Sequence, residues 1–228
     1  MEKNNKSATV GAVLLVAGIA VGGMIGYAYG NDNDGDNGKT ENKANSGDAV
    51  AQATSDAATA RVRLNNALQE HVNLASETLR DVYDGNKNAT AAVGSLDKNS
   101  EEVAGIVGDF YGDKAGEQFL EIWRDHIGFF ADYTTAAKKG DKKAMDQSLS
   151  DLAGYGEQAS QFFAGANENL PADAVKPLLE THKDLVIATI NAYGAGDYKQ
   201  SYAKQTEAAD QSHEIADALG VGTLKLKK

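Results

Sequence analysis

Three times along this chain a histidine is followed, fourteen residues later, by a glycine: His71 and Gly85, His126 and Gly140, His182 and Gly196. The apolar pattern around each histidine repeats as well. Leu68, Trp123 and Leu179 stand three residues before it, Leu64, Phe119 and Val175 seven before, and Leu74, Phe129 and Leu185 three after. Positions −7, −3, 0 and +3 share one face of a 3.6-residue helix, so each histidine should project from an apolar stripe. The glycine then marks a helix end, and the chain turns back. A tripled helix–Gly–helix unit leaves few choices: the expected fold is all-α, an antiparallel bundle of three αα-hairpin repeats with about six helices.

Turn-forming clusters divide the chain accordingly. "DGN" (84–86), "YGD" (111–113), "KGD" (139–141), "GANENLP" (165–171) and "AGD" (195–197) separate segments at 48–84, 88–110, 114–138, 142–165, 172–194 and 198–219. Connections this short favour antiparallel neighbours. Pro171 suits a helix start, whereas Pro177 falls inside the pattern, where it would kink the first turns or mark the true start. Gly94, Gly105 and Gly108 weaken the second helix by about 1 kcal/mol each relative to Ala, so the first hairpin is expected to dock on a four-helix core made by the other two. The aromatic residues Trp123, Phe129, Phe130 and Tyr133 fall at helical spacing and belong to the core. Tyr193, Tyr198 and Tyr202 gather at the last turn, where packing against the first hairpin is expected.

The N-terminal part has a different character. Residues 1–7 form a short stub carrying Lys3 and Lys6, and Ala8 to Gly30 is a run of 23 residues without charge. At about 1.5 Å per residue that run spans a hydrocarbon core about 30 Å thick. The lysines should remain cytoplasmic, which makes residues 8–30 a single-pass transmembrane helix with the bulk of the chain outside. A cleaved signal peptide is the alternative, and would make the product secreted. Residues 31–47, rich in Asn, Asp and Gly, read as a flexible acidic linker. Asp32, Asp34 and Asp36 imitate the start of a calcium loop, but Asn37 and Lys43 stand where its glycine and bidentate glutamate belong. The bundle is expected over 48–220, with a basic tail at 221–228.

Charge and cysteine content then exclude several functions. Without Lys3, Lys6 and Glu2, the whole-chain totals of 22 basic and 33 acidic residues become 20 and 32, a net −12 for residues 31–228. No nucleic-acid partner is expected of such a surface, because phosphate binding needs a basic patch. The absence of cysteine rules out disulfides, thiolate metal sites and cysteine catalysis. No nucleophile–base set or Gly-rich phosphate loop is present, so an enzyme is not expected.

What remains is the histidines. Seventeen residues after the three glycines stand Glu102, Glu157 and His213. In an antiparallel hairpin, residues nearly equidistant from the turn lie at similar height. His71 is therefore expected to face Glu102, His126 to face Glu157, and His182 to face His213 with Asp210 one turn away. Interior His and Glu on facing helices are how bundles build metal sites, and imidazole suits copper, zinc, iron and nickel. The same pattern also fits a non-catalytic structural or protein-interaction module, in which buried histidines are satisfied by polar neighbours and fix helix register.

The run "GDFYGDKAGEQFLEIWRDHIGFFADYTTAA" (108–137), with "GANENLPADAV" (165–175), "NAYGAGDYKQSYAK" (191–204) and "HEIADALG" (213–220), resembles a family of exported bacterial helical-bundle proteins. Members of that family are often labelled copper amine oxidase. The resemblance covers about residues 60–220 and implies a helical fold, an exported location and copper, or another divalent transition metal, as the ligand. Family members usually carry His-Met where this chain has His213-Glu214, which removes a soft ligand. The Asn-Tyr-Asp/Glu motif from which copper amine oxidases make their quinone is absent; Tyr83-Asp84 follows Val82.

Overall fold

A computed structural model describes residues 46–223, with side chains over 55–222. The stub, the span at 8–30 and all but the end of the acidic linker lie outside the described residues, as does the tail beyond 223. Six helices follow one another: α1 (Ser46–Asp84), α2 (Ala89–Tyr111), α3 (Asp113–Lys139), α4 (Lys142–Ala166), α5 (Ala172–Gly194) and α6 (Tyr198–Thr223). There is no strand among the described residues, and no described helix is long and apolar enough to cross a membrane.

The three repeat glycines end their helices as expected. Gly85, Gly140 and Gly196 adopt φ of 69°, 69° and 77°, a left-handed conformation that costs other residues strain. In each turn the following amide reaches back to close the helix. Asn86 N donates to Asp81 O at 2.9 Å, Asp141 N to Ala136 O at 3.0 Å and Asp197 N to Ala192 O at 2.9 Å, the six-to-one bond of a Schellman cap. Asp141 and Asp197 then cap the next helix, accepting from Ala144 N at 3.1 Å and Gln200 N at 3.0 Å. Gly-Asp thus stops one helix and starts another within two residues.

Each helix packs on its sequence neighbours, and α6 closes the ring against α1. The odd-numbered helices α1, α3 and α5 also touch one another inside the ring. The first hairpin is therefore an equal member of a closed six-helix ring, not an addition to a four-helix core. The reason lies partly in Gly108, which reads as a weak point in the sequence, and in Gly116 opposite it. A Cβ on Gly116 would come 2.9 Å from Ala104 O and 3.0 Å from Gly108 Cα, so these glycines let α2 and α3 approach backbone to backbone. At the C-terminal end, a Cβ on Gly220 would meet Arg61 Cβ at 3.0 Å and one on Gly222 would meet Leu170 Cγ at 2.6 Å. The helix consequently runs through both glycines to Thr223, four residues past the expected stop, and takes the first three residues of the supposed tail. Asn167, 2 % exposed, donates to Gly222 O at 2.9 Å and ties the α4–α5 connection to that end. Pro177 lies inside α5, which begins after Pro171.

The repeated apolar positions build one core. Leu64, Leu68, Phe119, Trp123, Val175 and Leu179, the −7 and −3 residues of all three repeats, belong to a single buried cluster. Burial of such side chains contributes about 1.5–3 kcal/mol each. Toward the turns, a second cluster holds Val72, Phe130, Tyr133 and Val186. Here the stripe continues at +4 in α3 and α5, while the +3 residues Phe129 and Leu185 are only partly buried. The histidines lie at the level between the two clusters. At the last turn, Tyr193 Oη donates to Asp84 Oδ2 at 2.6 Å and the Arg80 guanidinium lies 4.4 Å over the Tyr202 ring, joining α5 and α6 to the first hairpin as expected.

Candidate functional site

Because α1, α3 and α5 are equivalent copies meeting inside a ring, their histidines converge. His71, His126 and His182 all line one cavity of about 30 Å³, enough for one or two water molecules. His71 and His126 are each 4 % exposed, and their ring centroids lie 5.6 Å apart. Trp123 wedges against both, at 4.7 and 4.5 Å, while Tyr155 from α4 stacks on His126 at 4.6 Å with the planes 21° apart. The rest of the wall is mainly apolar, with Ser212 and Lys183 the other polar side chains and no carboxylate.

The expected carboxylate partners are elsewhere. Glu102 and Asp210 are exposed. Glu157 is also on the surface, where it accepts from Lys176 Nζ at 2.7 Å; that bond holds its carboxyl below the usual range. His213 is only partly buried and turns to α1, where Nδ1 meets Asn65 Oδ1. It does not line the cavity with His182. The reason is register. The helices of each hairpin meet at nearly equal distances from the glycine, so the residue level with the histidine is fourteen or fifteen beyond it. The seventeenth lies two or three residues farther along, on the surface for Glu102 and Glu157 and against α1 for His213.

The residues at the matched height are Asn99, Tyr155 and Gln211. His71 Nδ1 lies 3.2 Å from Asn99 Oδ1, and Asn99 Nδ2 donates to Ala67 O at 2.9 Å. His182 Nδ1 lies 3.1 Å from Gln211 Oε1, and Gln211 Nε2 donates to Leu178 O at 3.0 Å. The two clamps are copies: in each, an amide on the second helix bridges the histidine and the carbonyl four residues before it. Since the carbonyl can only accept, the amide NH2 must face it, and the amide oxygen must face Nδ1. Nδ1 therefore carries the proton in both rings. In the middle repeat Tyr155 occupies the amide position, and His126 Nδ1 is buried with no hydrogen-bond partner, as is Trp123 Nε1.

Electrostatics keep all three rings neutral. Burial pushes His71 down to about 3, helped by the charge His182 would carry, with the Asn99 bond opposing. Burial likewise pushes His182 down to about 4, and holds His126 well below the ordinary imidazole value. A neutral imidazole keeps a lone pair, which is the form that binds a metal. As the rings are placed, however, no group of three or more His, Asp or Glu side chains among the described residues can hold a metal ion.

Asn99, Gln211 and Tyr155 escaped the sequence reading because attention to charge favoured carboxylates. Equidistance from the glycine picks out Asn99, and Tyr155 and Gln211 stand one residue past it. Comparisons of the chain with known protein families, curated proteins and solved structures return no match.

Proposed function

We propose that this chain is a membrane-tethered, extracytoplasmic helical-bundle protein that captures a transition-metal ion, copper among them, without catalysing a reaction. One observation carries the metal reading: the single histidine of each repeat's first helix reaches one shared, apolar cavity in neutral form. Imidazole nitrogen suits copper, zinc, iron and nickel, while the absence of carboxylate from the wall disfavours magnesium and calcium. The ligand set differs from the one the sequence suggested, since Glu102, Glu157, Asp210 and His213 stand away from the cavity. Three imidazoles would share an ion only if the rings moved, since as placed they form no group that can hold one. The tether rests on the uncharged run 8–30 and the lysines before it. The resemblance to exported helical-bundle proteins agrees with both parts.

A second reading is favoured by the two amide clamps. A buried His–amide–carbonyl bridge satisfies each group and fixes the register of a hairpin without any ligand, as a structural or protein-interaction module would require. Titration of the purified chain with Cu(II) and Zn(II), followed by thermal shift, separates the two. A ligand of the folded state raises the melting temperature with concentration. The metal reading requires such a rise, and its loss in His71→Ala and His126→Ala. If neither ion moves the transition, the structural module is the function that stands.

A further inference from the structure

The three glycine turns share one end of the bundle, and the charge there runs against the rest of the chain. The whole sequence carries a net charge of −11, yet Lys138, Lys139, Lys142 and Lys143 crowd around Gly140, and Lys87 and Lys199 flank the other two turns. All six are exposed, and no ion pair among the described residues involves any of them. Most carboxylates at this end are already engaged. Asp141 and Asp197 cap α4 and α6, Asp84 accepts from Tyr193 Oη at 2.6 Å, and Asp81 accepts from Asn86 Nδ2 at 2.8 Å. Asp146, farther into α4, is exposed. The lysines are therefore left to meet an anion from outside.

An aromatic strip crosses the same end, and no single repeat contains it. Tyr83 of α1 sits where the hairpins meet: Lys138 Nζ of α3 lies 4.5 Å over its ring, and Tyr193 of α5 meets it edge-on at 5.7 Å. A Cβ on Gly194 would come 2.8 Å from the Tyr83 hydroxyl, so that glycine gives the ring its place. Tyr198 follows Tyr193 at 5.4 Å, and Tyr202 stands one turn farther along α6 with the Arg80 guanidinium 4.4 Å over its ring. Arg80 donates to Gln205 Oε1 at 2.6 Å and meets no carboxylate. Tyr198 and Tyr202 are 57 % and 60 % exposed; the other large hydrophobic side chains so exposed among the described residues, Val62 and Val221, lie toward the opposite end. The two tyrosines are thus a paired feature of the turn end and not scattered surface.

We infer that the turn end is a docking face for an acidic segment of a partner protein, whose carboxylates meet the lysines and whose apolar or aromatic side chains pack on Tyr198 and Tyr202. Charge complementarity selects the partner: an acidic segment is attracted here and repelled by the acid-rich remainder of the surface. The rings select its class. Tyrosine and arginine are the usual anchors at the centre of protein interfaces, with charged side chains at the rim, and Tyr198, Tyr202 and Arg80 stand in that relation to the lysines. A bare phosphate polymer would use the lysines and leave the rings idle. Because α1, α3, α5 and α6 all contribute, the face exists only when the three hairpins are docked. It is separate from the histidine cavity and needs no metal ion.

The test is fluorescence anisotropy on the full-length chain with three labelled probes: a glutamate–tyrosine copolymer, polyglutamate and inorganic polyphosphate. The copolymer should bind most tightly, and its binding should weaken several-fold between about 0.02 M and about 0.15 M salt as the lysines are screened. Lys142→Glu with Lys143→Glu should weaken it by about tenfold or more, and so should Tyr198→Ala with Tyr202→Ala. All four side chains are exposed, and circular dichroism checks that the variants fold as the wild type does. Polyphosphate binding as tightly as the copolymer, or tyrosine variants binding as the wild type does, overturns the protein partner in favour of an anionic polymer. No binding of the copolymer overturns the docking face itself. Neither result touches metal capture, which is read by a different titration.

Discussion

Acidification should unfold this bundle far more steeply than its surface charge suggests. His71 and His182 are held down to about 3 and about 4 in the folded chain. In the unfolded chain they titrate near 6.5. Lowered folded values mean that the unfolded state binds more protons once the pH falls below about 6.5, so stability is fully present above that value. It drains away as pH drops, and levels off only near the folded values. At pH 5 each ring withholds about 1.5 units of binding, or roughly 2 kcal/mol, giving about 4 kcal/mol for the pair. Burial also holds His126 well below its ordinary value, so it acts in the same direction. No carboxylate lines the cavity to offset the incoming charge. The total approaches the 5–15 kcal/mol on which a domain of ordinary stability depends. Surface carboxylates held low by their partners, Asp217 by Arg61 and Glu157 by Lys176, lose their contribution only in more acidic solution, so the two effects separate. The assay is urea unfolding in the presence of a chelator at pH 7.5, 6 and 5. Between pH 6 and 5 the unfolding free energy should fall by at least about 2.4 kcal/mol, the signature of nearly two protons taken up by His71 and His182, with His126 adding to the fall. His126→Phe should make that slope shallower. A wild-type fall below about 1.4 kcal/mol over the same interval, one proton or fewer, would refute the idea that the imidazoles lining the cavity stay neutral together.

Other perturbations address the fold and the boundaries of the site. Gly116→Ala drives a methyl group to 2.9 Å from Ala104 O and should cost about 1–3 kcal/mol in chemical denaturation, because backbone cannot move aside cheaply. Ala at Gly140 should cost about 1 kcal/mol through its φ of 69°, whereas Gly154→Ala, a helical position with open space around it, should be neutral or stabilising. Asn167→Ala leaves Gly222 O and the Asn169 amide without their buried partner, and a loss of about 1–3 kcal/mol is expected from the urea midpoint. Glu102→Gln and Glu157→Gln should leave metal affinity unchanged in a chelator-competition assay; a drop of tenfold or more in either would return the carboxylates to the site.

The local chemistry of the chain determined the elements. Periodic apolar residues, Gly-Asp turns and the fourteen-residue His–Gly spacing placed six helices within a few residues of their observed ends, because caps and amphipathic stripes are short-range effects. The same spacing showed that three histidines face inward. The closing of the ring was decided at longer range, by α6 packing on α1, and no local pattern in either segment announces that contact. Tertiary packing likewise gave the glycines their meaning. Gly116, Gly220 and Gly222 carry no mark that separates a helix stop from a place where a second chain segment must pass close by. The partners of the histidines also depended on packing. A difference of two or three residues in hairpin register exchanges Glu102 for Asn99 and His213 for Gln211, because the height at which two helices cross is set by how they pack and not by the residues of either helix alone.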